Sequence, residues 1–319
     1  METPNEPTPA LPQQGIALRI ALLGLSVVVL GALALEYALP TPPEAQSAAA
    51  AEATSEFSGI ALEADAAIVV DIASGRTLYE RSADAQLPLA SLTKVALVLA
   101  ISEVLNPDDV ITIPRSVPPT GNGRGVKKGE SWKVADFIDY TLVASSNEGA
   151  EILADVADSG LRARYSEAPA GEAAIWRMND LGQDLGLGVT YFLNPSGLDI
   201  SPTQSGAYGS ARDMAKLFAY AASAEPSLFA GTAENGLLLS SAEGEETSAE
   251  NTNESQGAIL GLILGKTGFT DLAGGNLTVV FDVGLARPVV AVVLASSREG
   301  RFEDMQKLVA AARATIAAR

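Results

Sequence analysis

The sequence predicts an α+β fold: a five-stranded antiparallel sheet flanked by helices, with a separate helical lobe and one membrane-length helix in front. Three observations carry this. Strand-like runs fall in two groups, two early and three late, with helical stretches between them and a helix at the end. Apolar residues make up 47% and charged residues 19% of 319 positions, enough to build a core for one large domain. And the first 57 residues differ in pattern from everything after them.

Residues 1–15 are polar and Pro-rich, with no Lys or Arg, and read as a cytoplasmic tail. Residues 16–35 are apolar except for Arg19 and Glu36 beyond them, and twenty helical residues span about 30 Å, the hydrocarbon thickness of a bilayer. No basic residue follows until Arg76, so the positive-inside rule keeps the N-terminus in the cytoplasm and exports the rest. The competing reading is a signal peptide cleaved after Ala32-Leu33-Ala34, although its leading region is long and poorly charged. Residues 36–57, rich in Ala, Pro and Glu, read as a flexible linker to a globular domain over 58–319.

Within that domain, the β-branched run 66–72 and the run 77–81 flank Ser74-Gly75, predicting a hairpin. Residues 91–105 predict a helix apolar on most faces, hence deeply buried. Several helices follow between 134 and 224, broken by Gly and Pro. Strands are expected at 258–267, 276–283 and 288–296, and a closing helix at 302–318 with Phe302, Met305, Val309, Ala312 and Ile316 on one face. The segment 232–256 carries six Glu and no base, and reads mostly as an exposed, mobile loop.

Composition narrows the chemistry. A net charge of −18 opposes nucleic-acid binding, which needs a basic footprint. The absence of Cys and His removes thiol nucleophiles, thiolate or imidazole metal sites and any Ser-His-Asp triad. A hydrolase built from this chain must find its base in Lys, Asp or Glu. Ser91-Leu92-Thr93-Lys94 is the single place where a Ser precedes a Lys by three, at the start of the buried helix. That spacing puts both side chains on one helix face, and the positive end of the helix disfavours an ammonium there. A buried Lys94 held neutral is then a base for Ser91. Taken alone, the pair reads first as a capping Ser with a first-turn Lys, since a chain this long holds about one such spacing by chance. Ser145-Ser146-Asn147 lies between two helical stretches, suited to aim Ser145 and Asn147 into one cleft or to cap the next helix. Lys266-Thr267-Gly268 closes a predicted strand, where Lys and Thr suit a carboxylate and Gly lets a substrate backbone approach, or it is an ordinary strand-end turn.

S-x-x-K, S-x-N and K-T-G in this order form a set shared by penicillin-binding proteins and class A β-lactamases. The surrounding segments AAIVVDIASGRTLYE, PLASLTK, GVKKGESWKVADFIDYTLVASSNEGAE, FLNPSGLD, SARDMAKL, the triplet Asn251-Thr252-Asn253 and KTGFTDLAGGNL sharpen it. Over about 60–310 the chain resembles the serine-type D-alanyl-D-alanine carboxypeptidases, the low-molecular-mass penicillin-binding proteins. The resemblance implies a β-lactamase/transpeptidase-like fold and an acyl-enzyme on Ser91, with Lys94 as general base. It implies that Ser145 passes a proton to the departing D-alanine and that Asn147 positions groups in the cleft. Lys266 and Thr267 would hold the substrate carboxylate beside Gly268, and the N–H groups of Ser91 and Phe269 would form an oxyanion hole. The implied substrate is the D-Ala-D-Ala end of peptidoglycan stem peptides, with β-lactams as covalent inhibitors and no metal or organic cofactor.

The sequence departs from the family pattern at Ser146, where Gly is common, and at Ser196, where His is common. It also stops soon after the closing helix, where many members continue into a β-rich domain, so membrane attachment is expected from residues 16–35. A class A β-lactamase needs a Glu in an E-x-x-x-N element; 175–197 contains no Glu, and neither Glu167 nor Glu172 has Asn four residues later. An endopeptidase or transpeptidase shares all three motifs. A catalytically silent wall-binding domain would be expected to have lost one of them.

Overall fold

The computed structural model describes residues 56–114, 126–284 and 286–318. The predicted tail, membrane segment and nearly all of the predicted linker lie outside these residues. Among the described residues no helix is long and apolar enough to cross a membrane.

In chain order the elements are β1 (Ala66–Asp71), β2 (Arg76–Arg81), β3 (Leu87–Pro88), α1 (Thr93–Ile101), β4 (Val110–Thr112), β5 (Ser131–Lys133), α2 (Val134–Val143), α3 (Asn147–Arg164) and α4 (Ala173–Asp184). Then come β6 (Tyr191–Phe192), β7 (Ala207–Gly209), α5 (Ala211–Ala224), β8 (Gly236–Ser240), β9 (Glu246–Glu250), β10 (Leu262–Thr270), β11 (Gly274–Asp282), β12 (Pro288–Ser296) and α6 (Gly300–Ala317). The main sheet has five antiparallel strands in the order β10-β11-β12-β1-β2, as expected from the two groups of runs. This leaves β10 at an edge.

Strand periodicity explains how the sheet is covered on both faces. Along β12, Val289, Ala291 and Val293 pack with Phe302, Met305 and Leu308 of α6. The alternate residues Val290, Val292 and Leu294 face the other way, into the core shared with the helical lobe. α6 crosses β11 and β12 on the first face, and α5 crosses β1, β11 and β12 on the second. Since β12 is apolar at both sets of positions, it reads as a continuous run rather than an alternating one. Each of the fully buried Val, Leu and Met side chains here contributes about 1.5–3 kcal/mol.

α1 sits among α2, α3, α4 and α5, which is why all nine of its residues are buried. Its start differs from the predicted helix: Ala90–Leu92 form a 3-10 turn, the α-helix begins at Thr93, and it ends at Ile101. Ser91 therefore stands on a tight turn leading into the helix. Lys266-Thr267-Gly268 lies inside β10 rather than at its end, because the strand starts later than expected, after a 3-10 turn over Gln256–Ala258, and runs on to Thr270. Thr267 pairs with Leu277 and Gly268 with Asn276.

The expected loop over 232–256 is instead largely a β-hairpin of β8 and β9. In β9, Thr247 and Ala249 are buried while Glu246, Ser248 and Glu250 face solvent. The acidic face is the exposed one, so charge hid a period-two pattern. Glu243 accepts from the Ser131 backbone N–H at 3.0 Å and Glu245 pairs with Lys127 at 2.8 Å, fastening the hairpin tip beside β5.

Asn276, wholly buried on β11, joins the sheet to the Ser91 turn. Its Nδ2 donates to the carbonyls of Pro88 and Leu89 at 3.0 and 3.1 Å, and its Oδ1 accepts from Ala295 N–H at 2.8 Å. Asn276→Ala takes the side-chain partner from the Pro88 carbonyl and the Ala295 N–H, while the Leu89 carbonyl keeps the Leu92 N–H, and it is expected to cost about 2–4 kcal/mol in urea unfolding. A loss under about 1 kcal/mol would show that the turn is held by other contacts.

Candidate active site

Three segments converge on one cavity of about 580 Å³. The turn before α1 brings Ser91, the α2–α3 junction brings Ser145 and Asn147, and the edge strand β10 brings Thr267 and Phe269 to its wall. Lys94 and Lys266 stand behind that wall, 0% and 1% exposed. Ala90 and Ser145, at φ +48° and +55°, hold a left-handed backbone conformation unfavourable for residues with a Cβ. Such strain persists where surrounding packing imposes it, and here it occurs at both approaches to the cavity.

Lys94 Nζ lies 2.9 Å from Ser91 Oγ, 2.7 Å from Asn147 Oδ1 and 2.9 Å from the Ser196 carbonyl. Burial pushes the amine down to about 7, with the Glu151 carboxylate partly opposing that shift. The partners then decide how a neutral amine sits. Asn147 Oδ1 and the Ser196 carbonyl can only accept, so they take the two remaining N–H groups. The lone pair is left facing Ser91, positioned to receive its proton. The N-termini of α1 and α3 both approach this point and further disfavour an ammonium.

Lys266 Nζ donates to Ser145 Oγ at 2.9 Å and to the Thr267 carbonyl at 3.0 Å. Burial, with Lys94 and Arg301 close by, holds it well below the usual lysine range. Thr267 Oγ1 is 2.6 Å from Thr252 Oγ1, which ties the segment after β9 to the cavity wall. A Cβ on Gly268 would lie 2.8 Å from the Leu89 carbonyl and 3.2 Å from Ser91 N, so only glycine lets β10 pass this close to the nucleophile turn. Gly197, at φ +77°, is more constrained still: a Cβ there would lie 1.9 Å from the Ala90 carbonyl.

The two departures from the family pattern have local accounts. Ser146 caps α3, its Oγ accepting from Gly149 N–H at 2.9 Å. At Ser196 it is the backbone carbonyl, independent of side-chain identity, that meets Lys94.

Other residues enter that the sequence did not single out. Arg298, just before α6, and Arg301, in its first turn, line the cavity. The Arg298 guanidinium lies 3.6 Å from the Phe269 ring centroid. Arg301 Nη1 donates to the Gly268 carbonyl at 2.8 Å, while its Nε is buried with no partner. Burial and the neighbouring Arg298 lower its guanidinium to about 10. Asp199 spans the mouth, accepting from Thr270 Oγ1 at 2.9 Å and Leu272 N–H at 3.2 Å. Only chain folding brings these residues to the motifs, so no local spacing announces them.

A serine paired with a buried, neutral lysine, beside an edge strand that offers Lys and Thr, defines an acyl-serine hydrolase of the penicillin-binding protein fold. Comparison with known proteins agrees. The D-alanyl-D-alanine carboxypeptidase family profile matches residues 48–298. A D-alanyl-D-alanine carboxypeptidase of Mycobacterium tuberculosis is 31% identical over 234 residues, covering 73% of this chain and 75% of that one. Another, from Bacillus subtilis, is 28% identical over 299 residues, covering 89% and 69%. Among solved structures, a penicillin-binding protein of Listeria monocytogenes in its cefotaxime-bound form is 28% identical with a TM-score of 0.67, covering 79% of this chain and 98% of that one. The chain belongs to the serine-type D-alanyl-D-alanine carboxypeptidase family.

Proposed function

We propose that Ser91 of this carboxypeptidase opens the peptide bond between the last two residues of a D-Ala-D-Ala stem peptide, and that β-lactams acylate the same oxygen. The observation that carries this is the 2.9 Å contact between Ser91 Oγ and the wholly buried amine of Lys94. As the Oγ–C bond forms, the Ser91 proton passes to Lys94 Nζ. Collapse of the tetrahedral intermediate breaks the C–N bond, and the leaving amine takes the proton that Lys94 Nζ received, by way of Ser145, which Lys266 orients at 2.9 Å, so that Lys94 is neutral again. Water then attacks the ester and gives a proton to Lys94, which returns it to Ser91 Oγ as the Oγ–C bond breaks and the shortened peptide leaves. The terminal carboxylate fits beside Thr267, where Arg298 and Arg301 make the wall cationic.

The test is intact mass after adding benzylpenicillin, together with D-alanine release from a pentapeptide. A lasting adduct on Ser91 and released D-alanine are expected. An adduct that clears within seconds would instead indicate a β-lactamase, and cleavage confined to cross-linked peptides an endopeptidase. No adduct on folded protein would favour a silent wall-binding domain.

For localisation, the proposal is that residues 16–35 anchor the chain with its catalytic domain outside the cytoplasmic membrane, on the hydropathy and charge pattern of the sequence. The full-length protein is then expected in the membrane fraction after a carbonate wash. A soluble form beginning near residues 33–50 would favour signal cleavage.

A further inference from the structure

The active-site cavity carries opposite charges at its two ends. Arg298, Arg301 and Thr252 line it, and the same three residues line a second cavity of about 420 Å³ that Asp199 and Asp271 do not reach. Asp199 and Asp271 stand at the other end, beside Thr270, where β10 finishes. Asp199 is held in place, its Oδ1 accepting from Thr270 Oγ1 at 2.9 Å and its Oδ2 from Leu272 N–H at 3.2 Å. Each carboxylate oxygen keeps a further lone pair. Asp271 is exposed. Among the described residues neither carboxylate belongs to an ion pair.

The run of β10 decides what meets each end. A Cβ on Gly268 would lie 3.2 Å from Ser91 N, so the bond that Ser91 attacks lies level with Gly268 and Phe269. The substrate carboxylate lies back along the strand at Thr267, whose hydroxyl is 2.6 Å from that of Thr252 on the cationic side. There Arg301, 5% exposed, has an Nε without a partner, a buried donor that suits an anion. The rest of the peptide must then run the other way, past Thr270 towards Asp271. β10 is an edge strand, so an extended chain can pair along it. The residue before the two D-alanines thus brings its side chain to Leu198, Asp199 and Asp271. Leu198, 40% exposed on the cavity wall, offers apolar surface to a chain of methylenes, and the two carboxylates beyond it suit a positive tip.

We propose that Leu198, Asp199 and Asp271 form a subsite for a long side chain ending in a free primary amine, on the residue that precedes D-Ala-D-Ala, and that this amine sets which stem peptides the enzyme trims. This rests on the carboxypeptidase reading of Ser91 and deepens it. No bond changes at the subsite. A stem with its amine free gains the pairing, and a stem whose amine is already acylated, as in a cross-link, does not.

The experiment measures kcat/KM for D-alanine release from two pentapeptides that differ in one group. Both carry lysine before D-Ala-D-Ala, with the side-chain amine free in one and acetylated in the other. The wild type is expected to prefer the free amine about fivefold, the scale of a partly exposed charge pair in a cleft. High salt should erode that preference. Asp271→Asn should bring the ratio down to about twofold, and Asp271→Lys should reverse it. Asp271 is exposed, so both substitutions spare the packing. Asp199→Asn should lower the ratio as well, although an amide has one oxygen for the two donors that Asp199 serves. A wild-type ratio near one overturns the inference. So does an equal loss on both peptides in the Asp271 variants, which would mean that the aspartate only shapes the mouth. Release of D-alanine from neither peptide by the wild type would instead remove the carboxypeptidase reading, and this inference with it.

Discussion

Ser91→Ala is expected to abolish acylation by benzylpenicillin and to lower D-alanine release by about 10⁴-fold or more, with the fold intact. The reason is the division of labour around the amine. Asn147 and Ser196 occupy the two N–H groups of a neutral Lys94, leaving a lone pair that serves only the Ser91 hydroxyl. Without that hydroxyl the electrophile has no oxygen to receive it. Ser145, the other cavity serine, is held by Lys266, whose amine donates to it at 2.9 Å and so does not take its proton. Structurally, Ser91 is partly exposed on a 3-10 turn and its side chain is bonded to Lys94 alone, so alanine leaves the packing unchanged. Intact mass and a melting curve on the same sample check both halves. A persisting adduct that maps to Ser145 would reassign the nucleophile.

What could be read in the chain follows from how local each fact is. Ser91 and Lys94 are three residues apart on a helical start, and Ser145 and Asn147 flank a single cap, so spacing alone announces that each pair shares a direction. The five strands were readable because their runs are β-branched and apolar, most plainly in β12. Glu151, Asp199, Asn276 and Arg301 were not. Asn276 matters through carbonyls 188 and 187 residues away, and Arg301 through one 33 residues away on another element. Their sequence contexts are those of any buried Asn or first-turn Arg. The β8–β9 hairpin was missed for a different reason: its glutamates lie on the solvent face, where net charge weighs against a strand although the buried face alternates correctly.

These long-range contacts share a task, which is to bring an edge strand and a helix start together closely enough for chemistry. Asn276 draws the strand-side carbonyls onto β11, Gly268 removes the Cβ that would hold β10 away, and Arg301 fastens β10 from the side of α6. The motif residues therefore lie within packed helices and strands or on the short turns that join them. That suits a reaction whose base works across a single 2.9 Å contact, since small displacements of a reacting pair are costly.

Lys94→Met is expected to eliminate acylation and also to change how stability depends on pH. The amine has an ordinary value of 10.5 in the unfolded chain and about 7 in the folded one. Between those limits the unfolded chain binds a proton that the folded protein does not. Stability of the wild type therefore rises with pH across that window, by up to about 1.4 kcal/mol per unit from this group. Below about 7 the ammonium is present in both states and its burial cost is constant; above 10.5 it is present in neither. Methionine fills a similar volume without the proton, so its advantage over the wild type should be largest near neutrality and shrink as the solution becomes alkaline. The variant also leaves Asn147 Oδ1 and the Ser196 carbonyl without their donor, at about 1–3 kcal/mol each where water does not replace it. Neither acceptor titrates in this range, so that cost moves the whole difference up or down and leaves its slope alone. Urea unfolding of both proteins at several pH values isolates the slope. A difference that stays flat from about pH 7 to about pH 10 would mean that Lys94 keeps its proton in the folded state. Loss of acylation in the same variant could not rescue the neutral base, because methionine removes the amine and its contacts together.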